Sequence, residues 1–243
     1  LAMGGMFSDA EKIHYDGTDI LVANRMANEV IKISTSTHAK TTILGPDTTY
    51  LRNVLDVTED GTSYYTLSRL ANLNSYTTYI CKWSMADGSR TACNLSTVRY
   101  GIAIAHYDGE IFALQGGNIA NAYRKVVILD ASDLTNTANS VPYYQGLAYG
   151  FYASNMDVDD ATGDVYIVYR EFNGLVRGYE RAVDGTYCAA AACHTDRNTF
   201  ARYSSSIDVQ DGQVYVNGYY WSSYYGGMKS FPTAGGTTTT LWS

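Results

Sequence analysis

The sequence repeats one local pattern five times: a turn that contains glycine, followed by a strand of alternating apolar residues. The pattern is clearest in DGTDILVANR from Asp16 and in DGTSYYTLSR from Asp60. Alternation with a period of two predicts a β-strand with one buried face, and an Asp-Gly pair predicts a tight turn. The five turn glycines are Gly17, Gly61, Gly109, Gly163 and Gly212. A chain with this regularity is expected to fold as a series of similar units.

Each repeat contains further strand-like segments around its turn. In the first repeat, KIHY precedes the turn, EVIKIST follows as a third strand, and KTTILG closes the unit. The turn glycines are 44, 48, 54 and 49 residues apart. This period is typical of the four-stranded blades of a β-propeller. Helical periodicity with capping residues is not seen in the sequence.

We therefore predict an all-β fold, a single five-bladed β-propeller over residues 1–243, with six blades as a lesser alternative. The predicted repeats are residues 6–49, 50–97, 98–147, 148–198 and 199–243. The last strand, TTTTLWS, is a candidate to join the first blade, which would close the ring and remove an open sheet edge.

The first unit, DGTDILVANRMANEVIKISTSTHAKTTILG, resembles an NHL-type propeller repeat. It has the Asp-Gly turn, a strand that ends in a polar turn with Asn, the strand VIKIS, and a Thr-rich outer strand. DVDDATGDVYIVY and DVQDGQVYV resemble the same broad superfamily of NHL-type and YWTD-like propellers. The resemblance covers the whole chain as a blade pattern, although that family more often has six blades. Its members include binding platforms and a few enzymes, so the resemblance implies a fold without choosing a function.

The charge of the chain limits its partners. The net charge is -7, and only 17% of the residues are charged. Because proteins that bind nucleic acids are usually basic, we predict no nucleic-acid partner. No apolar run approaches the roughly 18 residues of a membrane span, so we predict no membrane insertion.

The four cysteines form two close pairs, Cys81 with Cys93 and Cys188 with Cys193. Four cysteines allow three disulfide connectivities, and the short separations favour these two pairs. Neither pair has the spacing of a zinc site. Disulfides point to an oxidising compartment, so we expect the chain to be secreted, periplasmic or at the cell surface.

Six of the eleven arginines recur at two positions of the aligned repeats, the end of the second strand and the entry to the first strand. In a propeller both positions lie on one face. The six are Arg25, Arg52, Arg69, Arg99, Arg170 and Arg202. Guanidinium groups suit carboxylate, sulfate or phosphate, which favours an anion-binding face. The alternative is structural, with each arginine paired to an aspartate of the next blade; Asp56, Asp157 and Asp208 are the candidate partners.

Aromatic residues concentrate on the same predicted face, above all in GYYWSSYYGG of the fifth repeat. We predict that this loop binds a ligand through Tyr219, Tyr220, Trp221 and Tyr224. Flat rings beside Asn and Arg suit a sugar, and aromatic side chains also supply rigid contact area for protein recognition. Packing between blades is the alternative, and we prefer it for the mid-strand Tyr166 and Tyr215.

Signals for metals and catalysis are weak. DVDDATGD from Asp157 to Asp164 has enough carboxylates for calcium but lacks the twelve-residue loop pattern, so turn chemistry is the favoured interpretation. His14 and His106 both occur in HYDG and form a weaker metal-site hypothesis. Nucleophile-elbow, phosphate-loop and His-Glu-x-x-His motifs are absent from the sequence. We therefore predict no catalytic residue, no metal ligand and no cofactor, with calcium as the one cofactor left open.

These features together predict a non-catalytic recognition module. The first hypothesis is a lectin-like or adhesin-type protein that binds a cell-surface glycan through the aromatic loop and the six arginines. The alternative is a platform for an extracellular protein partner on the same face. A metal-assisted hydrolase or lyase on the propeller scaffold is a third and weaker hypothesis.

Overall fold

The computed structural model describes residues 10–69, 77–95, 97–116, 125–142, 153–169, 175–187, 194–198, 203–219 and 226–242. These residues form β-strands joined by turns, and no helix occurs among them. Accordingly, this part of the chain contains no helix that is long and apolar enough to span a membrane.

The strands form five four-stranded sheets, each built from four strands that are consecutive in the sequence. The first sheet contains β1 (Ala10–Tyr15), β2 (Asp19–Asn24), β3 (Glu29–Ser34) and β4 (Lys40–Leu44). The second contains β5 (Val54–Glu59), β6 (Ser63–Arg69), β7 (Thr78–Ser84) and β8 (Arg90–Asn94). The third contains β9 (Gly101–Tyr107), β10 (Glu110–Gln115), β11 (Lys125–Asp130) and β12 (Asn136–Pro142). The fourth contains β13 (Ala153–Val158), β14 (Val165–Tyr169), β15 (Leu175–Tyr179) and β16 (His194–Asn198). The fifth contains β17 (Tyr203–Gln210), β18 (Gln213–Tyr219), β19 (Gly226–Pro232) and β20 (Thr239–Trp242).

This arrangement confirms the predicted fold class, an all-β, five-bladed β-propeller with antiparallel blades. The five turn glycines all have positive φ, between 70° and 87°, as tight turns before a strand require. One detail of the prediction was wrong. The last strand does not pair with the first blade: β20 pairs with β19 in the fifth sheet, where Met228 lies opposite Trp242.

The chain divides into two compact units, Leu1–Ala113 with Leu129–Asn136, and Leu114–Ile128 with Thr137–Ser243. In the first unit, β1 and β2 contact β5, and β5 contacts β9. Its core cluster joins side chains of the first two sheets, including Leu21, Val57 and Trp83. In the second unit, β13 and β14 contact β17. Its core cluster joins the fourth and fifth sheets and includes Tyr166, as the packing interpretation expected.

In the first unit, a buried carboxylate links the first strands of three consecutive blades. Asp56 on β5 is only 5% exposed, and its Oδ2 accepts a hydrogen bond of 2.9 Å from the backbone amide of Ile104 on β9. Its Oδ1 accepts the amide of Val57. Lys12 on β1 brings its ammonium group to 3.3 Å from Oδ2 and also donates to the carbonyl of Ile102 at 2.8 Å. One carboxylate therefore connects β1, β5 and β9.

The second unit repeats this link with a different aspartate. Oδ2 of Asp157 on β13 accepts the amide of Val209 on β17 at 2.7 Å, and Oδ1 accepts the amide of Val158. Burial is the main cause that raises the pKa of Asp157 well above its usual range, and the nearby charge of Asp208 raises it further.

The strand register agrees with the proposed equivalence of Asp157 and Asp208, which both lie two residues after the residue that follows the bulge, and corrects that of Asp56. The first strands β1, β5 and β13 each contain a bulge. Asp56 directly follows the bulge of β5, as Lys12 and Asn155 follow those of β1 and β13. Asp157 lies two residues further along its strand. The two carboxylates thus serve the same purpose from two successive inward positions, because residues two apart on a strand point to the same side.

The hairpin of β7 and β8 carries the disulfide that was predicted between Cys81 and Cys93. The two residues lie directly opposite each other in the register of these strands. Cys81 is buried in the core cluster of the first unit, so the disulfide fixes the outer strand of the second blade to that core. Cys188 and Cys193 lie outside the described residues.

We predict that Asp56→Ala lowers the free energy of unfolding by about 3–5 kcal/mol, because it leaves the Lys12 ammonium group without its carboxylate. Lys12→Met should lower the free energy of unfolding by less. The Asp56 carboxylate keeps its two amide donors, and no buried ammonium group remains. Denaturant unfolding at neutral pH measures both. A loss below about 1 kcal/mol for Asp56→Ala would contradict the proposed importance of this link.

The Asp157–Asp208 pair predicts a pH-dependent effect on stability. Because the pKa of Asp157 is raised only in the folded state, the free energy of unfolding falls as the pH rises from about 4 through that raised pKa. Asp208→Asn removes the neighbouring charge, so it should raise the Tm by a few degrees at pH 8 and leave it nearly unchanged at pH 4. Asp211→Asn, an exposed change three residues further on, serves as the control. An equal effect of Asp208→Asn at both pH values would contradict this account.

Candidate functional site

Three of the six predicted arginines meet at one end of the second blade. Arg52 lies in the connection that leads into β5, and Arg69 is the last residue of β6. The backbone amide of Arg69 donates to the carbonyl of Arg52 at 3.2 Å. Arg69 lies opposite Thr78 in the strand register, and the neighbouring Thr77 pairs with Arg99. We refer to Arg52, Arg69 and Arg99 as the arginine cluster.

Thr78 is the buried residue that positions Arg99. Its hydroxyl donates to the carbonyl of Val98 at 3.0 Å and accepts the amide of Gly101 at 2.9 Å. These bonds hold both sides of the connection between β8 and β9 against the start of β7. Gly101 permits the close approach, because a Cβ atom there would lie 2.7 Å from Cδ1 of Leu67 and 2.8 Å from Oγ1 of Thr78. Sequence reasoning missed Thr78, since a threonine within a strand has no distinctive signal.

Tyr79 positions the connection that carries Arg52. Its hydroxyl donates to the carbonyl of Thr49 at 2.9 Å. Burial raises the pKa of Tyr79 to about 12, so the hydroxyl remains a donor at neutral pH. Asn28, in the turn after β2, supports the same connection from the first blade, because its Oδ1 accepts the amide of Asn53 at 2.9 Å. The arginine cluster therefore rests on a backbone that is bonded on both sides.

The side chains of the arginine cluster are all exposed. Arg25, the matching residue of the first blade, differs: it forms an ion pair of 2.9 Å with Glu11 of its own sheet. Arg90, which was not among the predicted residues, places its guanidinium 3.7 Å from the ring centroid of Tyr50. The cluster therefore places three exposed arginines at one end of the second blade, although the chain as a whole has a net charge of -7.

The structure bears directly on the alternative that aspartates of neighbouring blades hold the arginines. The carboxylate of Asp56 is engaged by Lys12 and by two backbone amides. The carboxylate of Asp157 accepts two backbone amides. At these two positions the aspartates join the blades through backbone groups and not through arginine.

Most of the predicted binding residues of the fourth and fifth repeats lie outside the part of the chain that the structure describes. Arg170, Arg202, Tyr220, Trp221 and Tyr224 lie outside the described residues. Tyr219 is the last residue of β18, where its backbone lies opposite Tyr203 and Gly226. The aromatic half of the predicted site thus stays a prediction.

The segment from Asp157 to Asp164 is the turn between the first two strands of the fourth blade. The carbonyl of Asp159 accepts the amides of Thr162 and Gly163, and its Oδ1 accepts the amide of Ala161. This geometry agrees with turn chemistry. Among the described residues, no group of three His, Cys, Asp or Glu side chains is arranged to hold a metal ion. His106 stacks on Tyr65, with ring centroids 6.2 Å apart.

Comparison with solved structures supports the fold. The chain superimposes on the WD40 repeats of RRP9 with a TM-score of 0.62 at 10% identity, over 96% of this chain and 62% of that chain. It superimposes on a chain of a nidogen/laminin complex with a TM-score of 0.65 at 11% identity, over 98% of this chain and 78% of that chain. A third match is hydrazine synthase from Kuenenia stuttgartiensis, with a TM-score of 0.64 at 12% identity, over 100% of this chain and 69% of that chain.

Identities this low show a shared fold and nothing further. The sequence matches no protein-family model and no curated protein sequence. The β-propeller part of the predicted resemblance is therefore confirmed, and the likeness to the NHL type in particular stays a prediction. The chain spans only about three fifths of the RRP9 structure.

We predict that the double variant Arg52→Gln/Arg69→Gln changes the free energy of unfolding by less than about 0.5 kcal/mol, because both side chains are exposed. Thr78→Val, which removes two buried hydrogen bonds a few residues away, should cost about 1–3 kcal/mol. Denaturant unfolding compares the two. A large loss in the arginine variant would mean that these residues hold the blades together.

Proposed function

We propose that this chain is a non-catalytic recognition module that binds an acidic segment of a partner protein through the arginine cluster. The observation that carries the proposal is the convergence of Arg52, Arg69 and Arg99, all exposed, at one end of the second blade. Arginine forks bind carboxylates through paired hydrogen bonds, so an Asp- or Glu-rich segment is the complementary partner.

The setting of the cluster supports binding over scaffolding. Thr78, Tyr79 and Asn28 hold the backbone on which the arginines stand. A fixed backbone lowers the entropy that is lost when a partner binds. A local cationic patch also attracts acidic partners and speeds their association.

The comparisons are compatible with this proposal. One of the similar folds is a chain from a nidogen/laminin complex, which by its title is an assembly of proteins. Another similar fold belongs to an enzyme, hydrazine synthase. Since the fold serves both kinds of protein, the absence of catalysis is part of our proposal and rests on the missing catalytic motifs in the sequence.

A glycan ligand is the second candidate, and it would have to be acidic for the arginine cluster to favour it. Guanidinium groups bind sulfate and carboxylate groups of sugars as readily as those of proteins. The aromatic stacking that this hypothesis also needs depends on Trp221 and its neighbours, which are outside the described residues. We favour the protein partner because the arginine cluster lies among the described residues and can bind carboxylates without aromatic stacking.

The disulfide supports a location outside the reducing cytosol. Cys81 and Cys93 are joined, and disulfides persist mainly in oxidising compartments. We propose on this basis that the chain acts in a secreted, periplasmic or cell-surface setting.

The test is a capture experiment with the immobilised chain and an extract of the source organism, read by quantitative mass spectrometry at two salt concentrations. We expect a small set of proteins with acidic segments to be retained at low salt. Arg52→Gln/Arg69→Gln should reduce their recovery about fivefold or more, because each guanidinium lost removes a charge-assisted contact. A glycan array run with the same proteins tests the second candidate.

The matched control is Ala39→Glu/Ala86→Glu. It changes the net charge by the same two units, and both alanines are exposed in turns between the third and fourth strands of the first two blades. This control should retain the partners. If both double variants lose them equally, net charge and not the arginine cluster governs binding; if neither loses them, the proposed surface is wrong.

A further inference from the structure

A small open cavity lies within the second unit, where the fourth and fifth blades meet. Its volume is about 40 Å³. Among the described residues, two carboxylates, two tyrosines and two threonines line it together with three apolar or small residues. The lining residues are Asp164, Glu180, Tyr166, Tyr179, Thr195, Thr233, Val176, Phe231 and Gly178.

A glycine near the end of β15 lies in the wall of the cavity. Tyr166 on β14 lies directly opposite Gly178, and a Cβ atom at that position would lie 2.8 Å from Cε1 of the Tyr166 ring. The ring therefore lies over the glycine. On the other side of β15, Thr195 of β16 also pairs with Gly178 and stands exposed at the rim.

The cavity has an excess of negative charge. No Lys or Arg is among the described residues that line it. Arg181 follows Glu180 in the sequence, but its guanidinium lies against Gly185, where an added Cβ atom would be 3.2 Å from Nη2. Oδ1 of Asp164 accepts only a backbone amide from Arg181, at 2.8 Å. Burial raises the pKa of Tyr166 to about 12, and the charges of Asp164, Asp159 and Glu180 contribute.

We propose that this cavity binds a primary alkylammonium group, as carried by a lysine side chain of a partner protein. An ammonium group is a compact charge with three donors and no acceptor. Two carboxylates and two threonine hydroxyls provide acceptors for it. Val176 and Phe231, both in the core of this unit, give an apolar wall for the methylene stem.

The size of the cavity favours lysine over arginine. A single water needs about 10–15 Å³ of such space, so 40 Å³ admits an ammonium group with its last methylene groups. A planar guanidinium group with five donors needs a wider site. The lysine site goes beyond the proposed function. It contains no residue of the arginine cluster, and it binds a cation whereas the cluster binds an anion.

The test is a titration followed by the backbone amide NMR signals of the intact chain. The probes are Nα-acetyl-lysine-methylamide and, as a matched uncharged probe, Nα-acetyl-norleucine-methylamide, at constant ionic strength. We expect the lysine probe to shift the signals of Gly178, Glu180 and Thr195 in a saturable way, and the norleucine probe to leave them in place. Butylammonium tests whether a free amine suffices.

Two substitutions sharpen the result. Glu180→Gln should weaken binding of the lysine probe about threefold, whereas Asp184→Asn, an exposed acidic residue of the same unit that does not line the cavity, should not. Thr195→Lys should abolish binding by supplying a competing ammonium group at the rim. Equal shifts with both probes, no shift with the lysine probe, or equal effects of Glu180→Gln and Asp184→Asn would each overturn the proposal. The capture of partners by the arginine cluster can succeed or fail independently of this outcome.

Discussion

The hydrogen bond from a backbone amide of one blade to an aspartate carboxylate of the preceding blade is the interaction on which the rest of the structure depends. The first strand of each blade is an edge strand, so every second amide lacks a partner within its own sheet. Asp56 and Asp157 satisfy such amides on Ile104 and Val209. The Asp157–Val209 bond joins the same two blades as the core cluster of the second unit. In the first unit, the Lys12–Asp56 ion pair joins the two blades that share a core cluster, and the Asp56–Ile104 bond adds the third blade.

This use of the carboxylates affects how the arginines are interpreted. A repeated arginine and a repeated aspartate in one chain suggest ion pairs between blades. In the described residues, Asp56 and Asp157 bind backbone amides, and Lys12 supplies the charge beside Asp56. Arg25 pairs with Glu11 within its own sheet, whereas Arg52 and Arg69 remain exposed. The contacts of Asp56 and Asp157 that join the blades do not involve the arginine cluster, and that is why we propose a binding role for it.

Much of the fold could be predicted because its signals are local. Strand segments such as SYYTLSR are short runs bounded by turn residues, and the first six residues of this strand are buried on both faces. The turn glycines follow from their positive φ. The disulfide between Cys81 and Cys93 follows from a hairpin of matching length. The strand β16, with the sequence HTDRN, was missed because a polar outer strand has no apolar alternation. The strand β20 pairs with its sequence neighbour β19 as the fourth strand of the fifth blade, and not with the first blade, for which the sequence made it a candidate.

The candidate site could be predicted only in part. The repeat alignment correctly brought Arg52, Arg69 and Arg99 together, since strand ends and connections meet at the same end of a blade. The supporting bonds of Thr78 and Tyr79 involve backbone carbonyls, which the sequence cannot specify. The wall of the cavity beside Gly178 includes a tyrosine lying over a glycine in the neighbouring strand, and neither residue is unusual alone.

The bonding of blades through aspartate carboxylates and backbone amides can be tested by hydrogen exchange. The measurement is the exchange rate of the Ile104 and Val209 amides in the native chain, resolved by NMR. We expect protection comparable to that of the amides within the sheets, although both residues lie on edge strands. Rapid exchange of these two amides, at the rate of exposed edge positions, would show that the carboxylates are not bound there and would contradict the claim.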